Sequence, residues 1–124
     1  MKQIIIGVAL MLMSYGCTQN EQEMKQASCM EVVTFKVNPN NTNEQLKQAM
    51  EATNQFIKEF DGFVSRNTSM NEEGEFVDVV LWESKAKALK AAEQLMQNPE
   101  LAKNFALIDP KSIVMNHYTI FSAQ

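Results

Sequence analysis

The sequence is poor in the residues that build metal sites, disulfide frameworks and nucleic-acid surfaces. Its 124 residues include one histidine and two cysteines, and neither cysteine lies at a metal-ligand spacing from His117. The 11 basic residues are outnumbered by 15 acidic ones, which leaves a net charge of -4, and they form no basic cluster. These shortages exclude a disulfide scaffold and argue against a structural metal and a nucleic-acid surface. We therefore expect no metal and no nucleic-acid partner.

Long apolar runs are also scarce. The run Ile4–Met13 follows Lys2, precedes Gly16 and Cys17, and has the length of the apolar region of a signal peptide rather than of a permanent membrane span. A small residue directly before a cysteine resembles a bacterial lipoprotein signal. We expect residues 1–16 to be a signal peptide, Cys17 to be lipidated, and the protein to be anchored to a membrane at the cell envelope, outside the cytoplasm. A plain secretory signal with an incidental cysteine is the alternative.

The second cysteine ends a polar stretch. Residues 17–29 carry no apolar stripe, which predicts a flexible spacer between the lipidated N-terminus and the domain. Cys29 lies at the start of the first strand pattern, where we expect it to be half-buried rather than reactive. A disulfide with a second copy of the chain is the alternative in an oxidising compartment.

Residues 30–124 carry alternating strand and helix patterns. Thr42 followed three residues later by Gln45 is a capping-box pattern that starts a helix, and Asp61-Gly62 is typical of a helix end. The helix after Ser84 has apolar residues at helical spacing, which we expect to face inward: Ala86, Leu89, Ala91, Ala92, Leu95 and Met96. The patterns predict strands over 30–37, 63–70, 75–84 and 112–122, and helices over 42–60, 84–97 and 99–108.

This order of elements, β-α-β-β-α-β, predicts an α+β ferredoxin-like fold with a four-stranded antiparallel sheet. Right-handed crossovers place the first and third strands in the centre and the helices on one face. The other face carries Val77, Val79 and Leu81 of the third strand, which would form an exposed apolar patch. We therefore predict a homodimer joined through these sheet faces, the arrangement of a dimeric α/β barrel.

The third strand also carries the most unusual residues. Phe76, Asp78, Val80 and Trp82 share one face because side chains alternate along a strand. An acid in an apolar strand is costly to bury unless it is paired or functional, and Arg66 on the neighbouring strand could pair with Asp78. Trp82, the only tryptophan, is compatible with plain packing and with ligand contact.

Residues 31–124 resemble the dimeric α/β-barrel superfamily, especially its antibiotic-biosynthesis-monooxygenase-like branch. The resemblance lies in Asp61–Ser65, in Asp78–Ser84, in the alanine-rich helix that follows, and in His117-Tyr118. This superfamily includes cofactor-free oxygenases, haem-degrading enzymes and members with no known activity. If the chain is an enzyme, the resemblance implies a cofactor-independent monooxygenase-like oxidoreductase with no bound cofactor.

In the oxygenase and haem-degrading branches an asparagine lies four residues before a strand tryptophan, and both meet the substrate. Asp78 and Trp82 occupy that spacing here. An ionised carboxylate cannot donate a hydrogen bond, so this exchange changes the chemistry. The haem-degrading branch also has a histidine on the following helix, which this chain lacks, and haem degradation is disfavoured.

The resulting hypothesis is a cleft between Trp82's face of the sheet and the first helix, which binds a small apolar or aromatic ligand. Asp78 or His117 is the candidate catalytic base, and Arg66 is a further polar group. Binding without chemistry and a structural dimer with a filled cleft are the alternatives, since an open cleft favours the first two hypotheses and a packed one the third. The predicted walls are Leu46, Met50, Phe56, Phe76, Val80 and Trp82.

Overall fold

The computed structural model describes residues 26–124. The predicted signal peptide, the lipidation site Cys17 and most of the predicted spacer lie outside these residues. The strands are β1 (Cys29–Phe35), β2 (Phe63–Met70), β3 (Phe76–Trp82) and β4 (Val114–Thr119), and the helices are α1 (Asn43–Ile57), α2 (Lys85–Gln97) and α3 (Pro99–Phe105).

The predicted capping residues begin the helices. The hydroxyl of Thr42 accepts from the backbone N–H of Gln45 at 3.1 Å, and the Gln45 side chain accepts from the Thr42 N–H at 2.8 Å, which confirms the capping box of α1. Ser84 caps α2 and Asn98 caps α3. Within residues 26–124 no helix combines the length and the apolar character that crossing a membrane requires.

The sheet has the strand order β2-β3-β1-β4, and every neighbouring pair is antiparallel. The first and third strands therefore lie in the centre, and the predicted ferredoxin-like fold is confirmed. Glu31 of β1 lies between Val80 of β3 and His117 of β4. Cys29 lies opposite Trp82 in the same register.

Five predicted elements are shorter in the structure: β3 covers Phe76–Trp82, α3 ends at Phe105, and the other three are α1, β1 and β4. Helix α1 ends at Ile57, and two turns lead to Gly62, whose φ of 87° favours glycine. Strand β1 ends at Phe35, and Val37 makes only an isolated bridge. Strand β4 begins at Val114, because Ser112 belongs to a 3₁₀ turn, Pro110–Ser112, that the Asp109 side chain caps.

The core consists of two clusters on the helix-covered face of the sheet. Under α1, Phe35 stacks on Phe76 at 5.5 Å between ring centres, and Leu46 and Met50 pack against them. Under α2, the helix buries only Ala88 and Ala91, and they pack against three residues of the sheet, Cys29, Val80 and Trp82.

Helix α2 turns fewer residues inward than its pattern predicts. Ala86 is exposed and Leu89 is 47% exposed, so these two inward predictions are wrong. Met96 is 71% exposed, although it borders the space between α2 and the sheet. The stripe actually buried is narrow, because α2 is covered on one side only, by the sheet and the end of α3. Its small side chains decide the shape of the space beneath it.

Among residues 26–124, no helix covers the second face of the sheet. Val77, Val79 and Leu81 of β3 are half-buried there, while Val114 and Tyr118 of β4 are 55% and 50% exposed. The face is therefore apolar along its centre, as the alternation in β3 predicted. An apolar face of this kind is what a two-fold partner would cover.

Candidate ligand-binding site

A cavity of about 310 Å³ lies between the helix-covered face of the sheet and α2. Its volume is near the lower end of the range for small-molecule pockets. Val80 and Trp82, two of the predicted wall residues, line it. The other lining residues are Glu31, Val33, Phe35, Ile57, Phe60, Ala88, Ala91, Ala92, Leu95, Met96, Phe105, Ile108, Ile113 and Met115.

The cavity exists because α2 presents alanines to the sheet. Ala88 and Ala91 are 1% and 4% exposed, and neither side chain extends beyond Cβ. By contrast α1 buries Leu46 and Met50, at 0% and 2% exposure, over its own half of the same sheet. Protein interiors fill such gaps with side chains unless something else occupies them. The predicted cleft is therefore open, and it lies under α2 rather than under the first helix.

Trp82 forms part of the cavity wall and is 3% exposed. Its ring meets Phe63 edge-to-face, with 6.0 Å between the ring centres. Its indole N–H is buried and has no hydrogen-bond partner within residues 26–124. An unpaired buried donor costs about 1–3 kcal/mol. A carbonyl or hydroxyl oxygen that reached this N–H would remove the cost.

Asp78 is tightly paired with Arg66. The carboxylate accepts from Nε at 2.9 and 3.1 Å and from Nη2 at 2.8 Å, and the Thr68 hydroxyl donates to it at 3.1 Å. The side chains of the pair are 10% and 3% exposed. The sequence left open whether Asp78 is paired or functional, and the structure shows it paired with Arg66. Asp78 does not line the cavity, so the geometry does not favour it as the base for a ligand held there.

The guanidinium of Arg66 is held from the helix side as well. Its Nη1 donates to the Thr53 hydroxyl at 2.6 Å and to the Asn54 side-chain oxygen at 3.0 Å. Thr53 is fully buried and in turn donates to the backbone carbonyl of Met50. This network joins β2, β3 and α1, and it satisfies the polar groups that the sequence placed in an apolar half of the sheet.

The remaining predicted wall residues lie elsewhere. Met50, Phe76 and Arg66 line a separate, polar depression of about 350 Å³ beside α1, together with Lys47, Glu51, Asn54, Thr68, Ser69 and Met70. Leu46 is fully buried in the core, and Phe56 is half-buried and lines neither space. The expectation of one cleft with all six wall residues is thus wrong, because α1 packs directly on its half of the sheet.

His117 pairs with an acid that the sequence analysis missed. Its Nε2 lies 2.8 Å from the Glu31 carboxylate, and the two side chains are 13% and 11% exposed. Glu31 lines the cavity and is the only carboxylate among its lining residues. The sequence does contain an indication of this residue. Glu31 is an acid that shares the helix-covered face of the first strand with Cys29 and Val33. Within residues 26–124, no group of three or more His, Cys, Asp or Glu side chains could hold a metal ion.

Cys29 is more deeply placed than predicted. It is 3% exposed beneath α2, and burial, followed by the charge of Glu31, raises the pKa of its thiol. A thiol of this kind is unreactive. It also lies on the helix-covered face and not on the open sheet face, a position that disfavours the alternative of a disulfide with a second copy of the chain.

Comparison with known proteins gives structural matches only. No protein-family model matches the chain, and no curated protein matches it by sequence. A variant of SnoaB, a cofactor-independent oxygenase from Streptomyces nogalater, superposes with a TM-score of 0.64 at 16% identity, over 79% of this chain and 97% of that one. A monooxygenase from the gene ActVA-Orf6 of Streptomyces coelicolor, in complex with nanaomycin D, has a TM-score of 0.60 at 20% identity, over 79% and 91% of the two chains.

A dimeric ferredoxin-like protein from an uncultured marine organism gives a TM-score of 0.58 at 13% identity, over 82% of this chain and 94% of that one. Identities this low are evidence of a common fold and not of a common reaction. The chain therefore has the ferredoxin-like fold that antibiotic-biosynthesis-monooxygenase-like proteins and dimeric ferredoxin-like proteins share.

Proposed function

We propose that this protein is an exported lipoprotein whose domain binds a small, flat, apolar or aromatic ligand in the cavity under α2. The observation that carries the proposal is the open cavity of about 310 Å³ beside Trp82, with an almost wholly apolar lining. Apolar walls with a few polar groups are typical of small-molecule sites. The Glu31 carboxylate supplies a polar group in the lining.

The alternative of a purely structural dimer requires the cleft to be filled by side chains. That condition holds under α1, where Leu46 and Met50 are buried, but not under α2. Ligand binding is therefore the better supported function for the half of the sheet that contains Trp82.

Cofactor-independent oxygenation of the bound ligand is the second candidate. It is supported by the structural similarity to two Streptomyces oxygenases and by the position of Trp82 in the cavity wall. The pairing of Asp78 with Arg66 weighs against Asp78 as the base. It leaves His117, which contacts the cavity-lining Glu31, as the candidate base.

Fluorescence of Trp82 tests the binding proposal, because the chain has one tryptophan. Titration with quinols and flavonoid-like phenols is expected to quench or shift the emission at micromolar concentrations, with haem as a comparison. Absence of any change with all three ligand classes would contradict ligand binding. Incubation of each bound compound with and without oxygen, followed by mass spectrometry, then separates binding from oxygenation.

A homodimer through the open sheet face is the proposed assembly. Its support is the apolar row Val77, Val79 and Leu81 and the structural similarity to a dimeric ferredoxin-like protein. Val79→Asp is expected to yield monomer or aggregate, because it would bury an unpaired carboxylate. Gln48→Asp, on an exposed position of α1 and therefore away from the open sheet face, is the control. A monomeric wild-type protein at micromolar concentration in light scattering would contradict the assembly.

The membrane anchor rests on the sequence of residues 1–17. Acylation of Cys17 would bind the chain stably, since several acyl chains act together. Cys17→Ser is expected to move the protein out of the membrane fraction. Undiminished membrane association of that variant would contradict lipidation.

A further inference from the structure

We propose that the Glu31–His117 pair is the polar anchor of the cavity and selects neutral ligands that carry a hydroxyl group. This inference rests on the proposed binding function and narrows its ligand class to hydroxylated aromatic compounds. It assigns a role to Glu31 and His117, which are not needed to pack the core.

The Glu31–His117 pair lies in the sheet beside the cavity. Glu31 lies in the central strand β1, and its cross-strand neighbours are Val80 and His117. The residue is 8% exposed, yet it lines the cavity. A carboxylate in such surroundings is costly unless a partner satisfies it. The contact of 2.8 Å with His117 Nε2 is that partner.

The Glu31 carboxylate can accept further hydrogen bonds. The contact with His117 uses one oxygen, Oε2, and within residues 26–124 no other hydrogen bond reaches the Glu31 side chain. An ionised carboxylate accepts about four hydrogen bonds and donates none. Glu31 can therefore accept a hydrogen bond from a ligand hydroxyl while His117 holds it in place.

The pair makes the cavity selective among ligands of one ring system. Hydrogen bonds to charged groups are stronger than neutral ones, so a hydroxylated ring gains affinity over the bare hydrocarbon. A ligand carboxylate would instead meet a like charge in an apolar cavity, where repulsion is weakly screened. The pair thus predicts the affinity order hydroxyl, then hydrocarbon, then carboxylate on the same ring system.

The test uses three ligands of one ring size, 1-naphthol, naphthalene and 1-naphthoate, titrated into the full-length protein. We expect 1-naphthol to bind at least about tenfold more tightly than naphthalene, and 1-naphthoate to bind most weakly. Glu31→Gln keeps an acceptor oxygen but removes the charge, so it should lower the ratio of the first two affinities and improve 1-naphthoate. Glu93→Gln, which removes a carboxylate from the exposed side of α2, should leave the ratio unchanged.

A second variant tests the same inference if Glu31→Gln does not fold. Glu31→Leu with His117→Leu replaces both partners by apolar groups, which avoids leaving either one unpaired. It should bind naphthalene as well as the wild type does and lose the preference for 1-naphthol. A retained preference in both variants, or 1-naphthoate as the tightest wild-type ligand, would overturn the inference. Failure of the wild-type protein to bind any of the three compounds would instead overturn the proposed binding function.

Discussion

The two halves of the helix-covered sheet face differ in what fills them, although β3 runs through both. Beside α1, Asp78 is locked to Arg66 and large side chains complete the core. Under α2, Val80 and Trp82 face alanines and an open cavity. Large side chains and the ion pair thus fill the space directly under α1 and leave a polar depression beside that helix, whereas the small side chains of α2 leave an apolar cavity beneath it.

The difference separates the stabilising half from the half available for binding. The α1 half combines close packing with a satisfied ion-pair network, which resists opening. The α2 half leaves Trp82 with an unpaired N–H and leaves apolar atoms without neighbours, both of which weaken the free protein. A ligand in the cavity would give the apolar wall atoms neighbours, so we expect binding to raise the free energy of unfolding.

Asp78→Ala is expected to have the largest effect on stability. It would leave the buried Arg66 guanidinium uncompensated, and breaking a buried ion pair of this kind costs about 3–5 kcal/mol. Urea unfolding monitored by circular dichroism measures the loss. The double variant Asp78→Ala with Arg66→Met should recover most of the lost free energy of unfolding. If Asp78→Ala alone were as stable as the wild type, the ion pair would not be what stabilises the α1 half.

Thr53→Val should have an intermediate effect in the same half. The substitution keeps the shape of the buried side chain but removes the hydroxyl that accepts from Arg66 at 2.6 Å. Loss of a hydrogen bond to a charged group costs about 1.5–3 kcal/mol. Thr68→Val, which removes the more exposed hydroxyl beside Asp78, is the graded control in the same unfolding assay.

Ala91→Leu tests the other half by filling its cavity. The larger side chain should reduce the affinity for 1-naphthol by at least about tenfold, equivalent to about 1.4 kcal/mol. Ala86→Leu makes the same substitution on an exposed position of α2 and should leave the affinity unchanged. Equal affinities in the two variants would mean that the ligand binds outside the cavity.

The smallest expected effect concerns the pH dependence contributed by Cys29. Burial raises the pKa of this thiol above its usual value of 9.0, so the folded state holds its proton more tightly than the unfolded state. Its contribution to stability is complete below pH 9.0 and is lost as the pH rises through the higher folded-state pKa. Urea unfolding between pH 8 and 10.5 should therefore show a shallower decline in Cys29→Ala than in the wild type. Parallel curves for the two proteins would show that the thiol contributes nothing to this decline.

The order of elements was predictable because its signals are local. The capping box at Thr42, the cap at Ser84 and the glycine turn after α1 all lie within a few residues of the structure they cause. The alternation in β3 likewise predicted which of its residues face the helices and which form the open face. Together they were enough for the ferredoxin-like topology.

The site was predictable only in part. Trp82 and Val80 were expected in the cleft and line it, while Met50, Phe76 and Phe56 were expected there and do not. Glu31 was missed because its partner, His117, is 86 residues away in the chain. Nothing local in either segment indicates that the two strands become neighbours with their side chains in register.

The sequence by itself determined the strands, the helices and the alternation of faces, since these follow from periodicity and capping within short segments. Only the tertiary structure decided that Asp78 would be neutralised by Arg66, that Glu31 would meet His117, and that the open space would lie under α2. These outcomes depend on which side chains meet across the sheet and on whether their summed volumes fill the space between layers, and both are properties of the packed chain.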